Sequence, residues 1–231
     1  MTIREKKQSI RHDILKKRAA IPSESISNIE RETCPKIIRF LDAITENIKK
    51  DKISFEQSST NDLLNHAQAI HRCTIMSYMS YKNEFPTHNL NAEILRAGYR
   101  LMLPYTDYNF SIIPYAVDSL DKLSKSSIGI YEPDISQCKA GKLSDIDIIL
   151  MPGIAFDKSG NRIGFGKGCY DRFIAPAFVS SNTKAFNMHR PMLIALAYEF
   201  QVFESLPFEQ NDIPCDAIIT EHEIKRMPVQ L

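Results

Sequence analysis

The sequence predicts a three-layer α/β fold, in which a mostly parallel, Rossmann-like sheet is flanked by helices and preceded by a helical N-terminus. Two observations indicate this class. The first third of the chain spaces its apolar residues as helices do, and from Thr74 onward short apolar runs alternate with helical or loop segments. Several of these runs are continuously apolar, which is typical of strands covered on both faces. The length of 231 residues indicates a single domain over residues 1–231.

The opening third of the chain is predicted to form two helices. Thr2 and Glu5 have the spacing of a capping box, which marks the start of the first helix. Isoleucine and leucine recur at helical spacing between residues 26 and 48, which predicts the second helix. The polar stretch 49–61 indicates a linker or mobile loop, and residues 63–72 a short helix after it.

The sheet is predicted from six apolar segments in the rest of the chain. The candidate strands are residues 74–80, 99–104, 110–115, 146–151, 192–198 and 216–220. Helices are expected at 88–97 and 168–178, and a helical or loop segment at 199–205. In open α/β sheets, ligands bind beyond the carboxyl ends of the strands. We therefore expect the chemistry in the residues that follow these strands.

Composition argues against several functional classes. The 29 lysines and arginines nearly balance 28 aspartates and glutamates, and a net charge of +1 disfavours a nucleic-acid binder. The longest apolar stretches fall far short of the roughly 20 residues of a membrane helix, and the charged N-terminus does not resemble a secretory signal. The five cysteines are widely spaced and include no CxxC pair, so neither a zinc knuckle nor a disulfide framework is indicated. We expect a cytoplasmic protein that acts on small molecules.

One segment has the composition of a phosphate-binding loop. MPGIAFDKSGNRIGFGKGCYDRF, residues 151–173, follows a strongly apolar strand and precedes a predicted helix. Its glycines at 164, 166 and 168 alternate with Phe165 and Lys167, after Arg162. Alternating glycines let backbone N–H groups converge on an anion, and the start of the following helix adds a positive dipole end. Arg162 and Lys167 would add full positive charges.

Two standard nucleotide-binding motifs do not fit this loop. A Walker loop places four residues between its first glycine and the Gly-Lys pair, whereas five separate Gly160 from Gly166. The spacing GxGxG also misses the Rossmann pattern GxGxxG. The residues alone therefore leave two alternatives, a phosphate loop or a turn-rich surface loop with solvated charges. Asp171, one turn into the predicted helix, either holds a metal ion beside a phosphate or is a carboxylate near the positive helix end.

The same segment resembles the signature of the 5-formyltetrahydrofolate cyclo-ligase family. That signature has the form PG-aromatic/small-FD-xx-G-x-R-aliphatic-G-x-G-x-GYYDR, and the similarity runs over more than twenty consecutive residues of 151–173. The chain also matches the family's opening helix, its strand–loop segment at 78–87 and its later motifs, in the same order. The matching residues outside the signature include Lys7, Ile10, Arg11, Arg18, Glu84 and Tyr131-Glu132-Pro133.

The resemblance implies an enzyme that uses ATP and Mg²⁺ to cyclise 5-formyltetrahydrofolate to 5,10-methenyltetrahydrofolate, with release of ADP and phosphate. It implies that ATP contacts Lys7, Arg11, Arg162, Gly164, Phe165, Gly166, Lys167, Gly168, Cys169 and Tyr170. Arg162 and Lys167 are the expected catalytic residues, because phosphoryl transfer depends on positioning and charge neutralisation. Met79 and Glu84 would face the folate, and Asp171 and Asp212 would hold Mg²⁺. We expect a monomer.

The chain departs from the family pattern in a few places. Cys169 stands where the family usually has the first tyrosine of GYYDR, and segments 49–72 and 176–191 are longer than in shorter members. Two other readings remain open. The chain could be a non-catalytic relative that binds a ligand or RNA, or a different enzyme on a related sheet, such as a sugar-phosphate isomerase or CoA transferase. The intact Arg162 and Asp171 favour activity, because a decayed site is expected to lose charged residues first.

Overall fold

The structure of the chain is a computed structural model that describes residues 1–57, 73–179, 190–209 and 212–227. The predictions for 58–61 and for a short helix at 63–72 lie outside these residues, as does most of the segment 176–191. The helices are α1 (Ile3–Ala19), α2 (Ser23–Gln57), α3 (His88–Arg96) and α4 (Cys169–Val179). None of the described helices combines the length and apolar character needed to cross a membrane.

Helix α1 begins as the sequence predicts. The hydroxyl of Thr2 accepts a hydrogen bond from the Glu5 amide at 3.2 Å, and the Glu5 carboxylate accepts one from the Thr2 amide at 2.8 Å. This reciprocal pair satisfies two N–H groups that a helix start would leave without partners. The last turn is basic, with Lys16, Lys17 and Arg18 near the negative end of the helix dipole.

Helix α2 is longer than the sequence indicates. The prediction of a linker from residue 49 is wrong over 49–57, where the chain continues as helix to Gln57. The buried side chains of Ile37, Leu41 and Ile44 fix the helix against the sheet. Once a helix is nucleated, each added residue costs little, and lysine and glutamate are good helix formers. Polarity at 49–57 therefore does not end the helix.

The described residues build a central sheet of eight strands. All six predicted strands are present; four are shorter than predicted, the one at 74–80 by more than half, and those predicted at 99–104 and 110–115 lie about two residues further along the chain. The strands of this sheet are β1 (Thr74–Met76), β2 (Arg100–Thr106), β3 (Ile112–Val117), β6 (Lys139–Ala140), β7 (Ile148–Met151), β10 (Met192–Leu196), β12 (Ala217–Ile219) and β13 (Ile224–Arg226). Their spatial order is β13-β12-β10-β7-β1-β2-β3-β6. The five strands from β12 to β2 run parallel, and antiparallel strands flank them.

Alternate residues of the parallel strands face two separate cores. Ile75 and Leu101 belong to the core that covers α2 and α3. Their neighbours Met76 and Met102 belong to the core on the opposite face, which includes Ile174 of α4. Because both faces are apolar and covered by helices, the strands appear as continuous apolar runs in the sequence. The predicted three-layer arrangement is confirmed.

Five short strands outside the central sheet were not predicted from the sequence. They are the ribbon of β4 (Leu123–Lys125) and β5 (Tyr131–Pro133), and the small sheet of β8 (Ala155–Asp157), β9 (Arg162–Ile163) and β11 (Val202–Phe203). Strands of two or three residues are too short to show a periodic pattern. The segment predicted as helix or loop at 199–205 forms one helical turn, Glu199–Gln201, followed by β11.

The small sheet sets the position of α1. Ile14 of α1 is 1% exposed and packs in one core cluster with Ile154, Ile163 and Leu206. Strand β9 leads directly into the glycine-rich loop, which connects it to α4. The packing of Ile14 therefore places the basic residues of α1 beside that loop.

Candidate active site

A cleft of about 750 Å³ lies at the carboxyl ends of the parallel strands. Residues at or just beyond the carboxyl ends of β1, β2 and β7 line it, including Met79, Thr106 and Pro152. This is the edge at which open α/β sheets bind ligands. All fourteen residues that the sequence predicts for the site line this one cleft: Lys7, Arg11, Met79, Glu84, Arg162, Gly164, Phe165, Gly166, Lys167, Gly168, Cys169, Tyr170, Asp171 and Asp212.

The glycine-rich loop between β9 and α4 presents backbone groups to the cleft. Gly166 has a φ of +92°, in the left-handed region that side-chain-bearing residues rarely adopt. Arg11 Nε donates a 2.8 Å hydrogen bond to the Gly164 carbonyl. The Arg11 guanidinium also lies 3.6 Å from the point where a Cβ at Gly166 would stand. The loop, the start of α4 and a cation from α1 thus form one positive corner of the kind that suits an anion.

Lys7 is held at the cleft by two carboxylates. Its Nζ lies 2.6 Å from Asp212 and 3.0 Å from Glu209, and the residue is 7% exposed. Burial by itself lowers the pKa of Lys7, but the hydrogen bonds and charges of Asp212 and Glu209 outweigh it and raise the pKa above 10.5. The ammonium is therefore charged, and it is already paired before any ligand arrives.

Arg162 is fixed in a partly buried ion pair with Asp171. Its Nη2 donates to Asp171 Oδ1 at 2.8 Å, and its Nη1 donates to the Pro152 carbonyl at 3.4 Å. The Arg162 guanidinium also lies 5.9 Å from the ring centroid of Tyr170. Its buried Nε finds no partner in the described part of the chain. The bonds to Asp171 and Pro152 therefore fix the orientation of this guanidinium in the cleft lining.

Lys167 differs from the other cations of the cleft. Its side chain is exposed, and its Nζ lies 4.7 Å from the ring centroid of Phe110. Within the described ranges it forms no ion pair with a carboxylate. Its ammonium can therefore meet an anionic ligand without first leaving a partner.

Glu84 lies in a largely buried part of the cleft lining. Its side chain is 12% exposed, and its Oε2 accepts a 2.9 Å hydrogen bond from the Tyr81 amide. Burial raises the pKa of the Glu84 carboxyl, while the Tyr81 hydrogen bond and the Arg18 charge lower it in part. Met79, also in the lining, is 8% exposed, and its Sδ accepts a 3.2 Å contact from Asn91 Nδ2. This region combines an acceptor with an apolar wall.

The two predicted magnesium ligands lie in the same cleft lining. Asp171 is paired with Arg162 and Asp212 with Lys7. Among the described residues, no group of three or more His, Cys, Asp or Glu side chains is placed to hold a metal. Mg²⁺ commonly keeps several waters and takes one or two carboxylates together with substrate phosphates. Two carboxylates beside this positive corner therefore fit Mg²⁺ bound with a nucleotide, and not a site made of protein ligands alone.

A comparison with protein families decides what kind of cleft this is. The model of the 5-formyltetrahydrofolate cyclo-ligase family matches residues 3–221. The chain belongs to this family. Membership assigns to it the ligase activity after which the family is named, and places it in folate one-carbon metabolism. The alternative of an isomerase or a CoA transferase on a related sheet is excluded.

Curated relatives of the cyclo-ligase family cover most of the chain. The 5-formyltetrahydrofolate cyclo-ligase of Haemophilus influenzae is 31% identical over 163 residues, which are 69% of this chain and 81% of the relative. The Escherichia coli K12 protein of the same name is 26% identical over 172 residues, which are 73% of this chain and 88% of the relative. The resemblance drawn from the loop and the opening helix is confirmed.

Solved structures agree with the fold. The NMR structure of the Aquifex aeolicus 5,10-methenyltetrahydrofolate synthetase is 28% identical, has a TM-score of 0.66, and covers 96% of this chain and 92% of its own. The Mycoplasma pneumoniae 5,10-methenyltetrahydrofolate synthetase, at 22% identity and a TM-score of 0.60, shares the fold over 93% of this chain and 98% of its own.

Three charged residues of this cyclo-ligase were not predicted for its site. Glu132 of β5 lines the cleft, and burial raises the pKa of its carboxyl. Glu209 pairs with Lys7, and Arg18 approaches Glu84. Arg18 and Glu132 both lie in motifs that match the family, so the sequence carried a signal for them. Glu209 gave none, because a lone glutamate in a loop is usually solvated.

Proposed function

We propose that this chain cyclises 5-formyltetrahydrofolate to 5,10-methenyltetrahydrofolate, with ATP converted to ADP and phosphate, at the cleft described above. The observation that carries the proposal is the convergence of the glycine-rich loop, the basic face of α1 and the Glu84 segment on one cleft. A ligation of this kind needs a phosphate donor and a folate side by side. The cleft offers both a cationic, glycine-rich lining and an apolar lining with a carboxylate.

In this proposal the triphosphate of ATP binds the glycine-rich loop. The backbone N–H groups of residues 164–168 and the start of α4 provide donors, and Lys167 provides a cation that no carboxylate of the described residues pairs with. Arg11 adds a second cation beside Gly166. Lys7 joins them by sharing its ammonium between the phosphates and Asp212. A triphosphate requires several such donors together, because each charge-assisted hydrogen bond contributes only about 1.5–3 kcal/mol.

The folate is proposed to bind on the Glu84 side of the cleft. A reduced pterin ring presents several N–H donors, and an ionised carboxylate accepts hydrogen bonds only. Glu84 is buried, so such bonds would be strong once the cleft is closed to water. Met79 supplies an apolar surface that adapts to an irregular ring system.

The proposed chemistry needs no nucleophilic side chain. The formyl oxygen attacks the γ-phosphorus, and the bond from that phosphorus to the bridging oxygen breaks to release ADP. The formyl oxygen, now phosphorylated, has become a good leaving group. N10 attacks the formyl carbon, its proton is lost, and the carbon–oxygen bond breaks to release phosphate and the closed methenyl ring. Arg162 and Lys167 would stabilise the negative charge on the transferring phosphoryl group.

Mg²⁺ belongs to this proposal as the ion that accompanies ATP. Asp171 and Asp212 would hold it, because both carboxylates line the cleft near the basic loop and α1. A bound Mg²⁺ neutralises phosphate charge and favours one orientation of the triphosphate. Asp171 would then be shared with Arg162, whose position it also fixes.

The proposal extends to the working unit. We infer that residues 1–231 act as one domain and as a monomer, in a reducing cytoplasm. One family model over residues 3–221 supports the single domain, and the cysteine spacing supports the reducing compartment. Sedimentation of the purified chain at assay concentrations tests the monomer.

The activity is tested by mixing the purified chain with 5-formyltetrahydrofolate, ATP and Mg²⁺. Absorbance of the methenyl product and release of ADP are followed in the same reaction. We expect both to appear in equal amounts, and neither when ATP or the folate is omitted. ADP release in the absence of the folate, or formation of the methenyl product in the absence of ATP, would refute the proposed function.

A further inference from the structure

Arg18 is a buried arginine that lies behind the cleft. It sits in the last turn of α1 and is 4% exposed, and it is not part of the cleft lining. Its Nε donates a 2.8 Å hydrogen bond to the Asn83 carbonyl, and Asn83 Nδ2 donates one of 2.6 Å to the Arg18 carbonyl. This reciprocal pair joins the end of α1 to the loop that follows β1.

The Arg18 guanidinium lies close to two parts of the cleft lining, Glu84 and the glycine-rich loop. Its Nη2 lies 3.9 Å from Glu84 Oε1, an ion pair between two buried side chains. On another side, its Cζ lies 6.0 Å from the ring centroid of Phe165, within the glycine-rich loop. Arg18 therefore lies against both the segment proposed to bind folate and the loop proposed to bind ATP, although it does not line the cleft itself.

We propose that Arg18 is a positioning residue, which fixes the Glu84 carboxylate and the Phe165 end of the glycine-rich loop relative to each other. The proposal rests on the proposed function, since it takes Glu84 as the folate acceptor. Arginine suits this place because its planar, rigid fork of donors serves several neighbours at once. Lysine carries the same charge but offers a single ammonium.

The energetic balance at Arg18 argues against a role in stability alone. A buried charge costs free energy, and the Arg18 Nη1 atom has no hydrogen-bond partner among the described residues. The ion pair with Glu84 is long, at 3.9 Å. Replacing a buried ion pair with apolar side chains of similar volume is often neutral or stabilising. The pair as a whole is therefore not required for stability, whereas removing Arg18 alone would leave the Glu84 carboxylate buried without its cation, which is destabilising.

Besides burial and the Tyr81 hydrogen bond, the charge of Arg18 also influences the pKa of the Glu84 carboxyl. Three tyrosines face that carboxyl, Tyr78, Tyr170 and Tyr198, and burial raises the pKa of each so that they stay neutral at ordinary pH. Arg18 is the cation that lowers the pKa of Glu84 against the effect of burial. Removing Arg18 is therefore expected to raise that pKa and to move the acid limb of folate use to higher pH.

The experiment compares Arg18→Met and Arg18→Lys with the wild type. Arg96→Met, on the exposed face of α3, is the matched control. In Arg18→Met we expect kcat/KM for the folate to fall by on the order of 100-fold, as a misplaced group in a site does. We expect its acid limb to move to higher pH. Arg18→Lys should restore the acid limb through its charge, but not the rate.

A second measurement separates this proposal from the proposed function. The Glu84 carboxyl is titrated by NMR without substrate, in wild type and Arg18→Lys, and in Arg18→Met if that variant folds. We expect its pKa to be higher in Arg18→Met, with Arg18→Lys near the wild type. The proposal is overturned if folded Arg18→Met keeps the wild-type acid limb and Glu84 pKa, or if Arg18→Lys keeps the full rate. A wild type that lacks cyclisation would overturn the proposed function alone, since the titration does not depend on it.

Discussion

The ammonium of Lys7 lies 2.6 Å from the carboxylate of Asp212, although 205 positions separate the two residues in the sequence. One belongs to α1 and the other to the loop that precedes β12. The ion pair therefore closes the N-terminal helix onto a late segment at the edge of the cleft. It also means that a phosphate must share Lys7 with a carboxylate that is itself a proposed Mg²⁺ ligand.

This ion pair is expected to stabilise the fold below strongly alkaline pH. The pKa of Lys7 is raised above 10.5, so its stabilising effect is complete below 10.5 and is lost as the pH rises through the raised pKa. Asp212→Asn should lower the free energy of unfolding by about 1–2 kcal/mol at neutral pH. Urea titrations of Asp212→Asn, with the exposed Asp13→Asn as control, measure this. If Asp212→Asn lost the same free energy of unfolding at pH values above the raised pKa of Lys7, this explanation of the ion pair would be wrong.

Two glycines are expected to differ in what their substitution damages. A Cβ at Gly160 would stand 2.4 Å from the Cys215 carbonyl oxygen, with φ at +87°, so Gly160→Ala should cost about 3 kcal/mol of stability. A Cβ at Gly166 would meet only the Arg11 guanidinium, at 3.6 Å. Gly166→Ala should therefore strain the exposed loop and raise the KM for ATP, while its melting temperature falls less than that of Gly160→Ala. Equal loss of stability in both variants would refute this distinction.

The Glu84 side chain is expected to lower the free energy of unfolding at pH values where its carboxyl is ionised. Burial raises the pKa of its carboxyl above 4.5, so the folded chain binds the proton more tightly than the unfolded chain does. The contribution of this group to stability therefore falls as the pH rises from 4.5 through the raised pKa. Glu84→Gln should be more stable than wild type at neutral pH by about 1 kcal/mol, and equal to it below 4.5. Thermal melting across this range checks the sign, and a destabilised variant at neutral pH would show it to be wrong.

Asp171 is expected to set the Mg²⁺ requirement. Asp171→Asn removes a charge that would attract the cation, and it keeps an oxygen that can accept from Arg162. The Mg²⁺ concentration for half-maximal activity should rise about tenfold or more. Asp13→Asn, on the exposed face of α1, should leave it unchanged. An unaltered Mg²⁺ dependence in Asp171→Asn would remove this residue from the metal site.

The sequence predicted the central sheet and the composition of the cleft, for physical reasons that particular residues show. Strands such as Ile148–Met151 are buried on both faces, so their apolar runs are unmistakable. The loop at 164–168 requires glycines at φ above zero, which leaves a visible pattern. The pairing of Lys7 with Glu209 could not be predicted, because no local pattern reports which distant carboxylate a lysine meets. The helical state of 49–57 was missed because polarity alone does not distinguish a loop from a solvated helix.

One cleft is proposed to bind ATP through Lys167 and the folate through Glu84. The most direct test is steady-state kinetics of Lys167→Ala and Glu84→Gln, each with ATP and 5-formyltetrahydrofolate varied in turn, and with the exposed Lys16→Ala as control. We expect Lys167→Ala to weaken ATP use ten- to a hundredfold while the KM for the folate is kept, and Glu84→Gln to do the reverse. Unchanged ATP use in Lys167→Ala, or equal losses for both substrates in both variants, would contradict it.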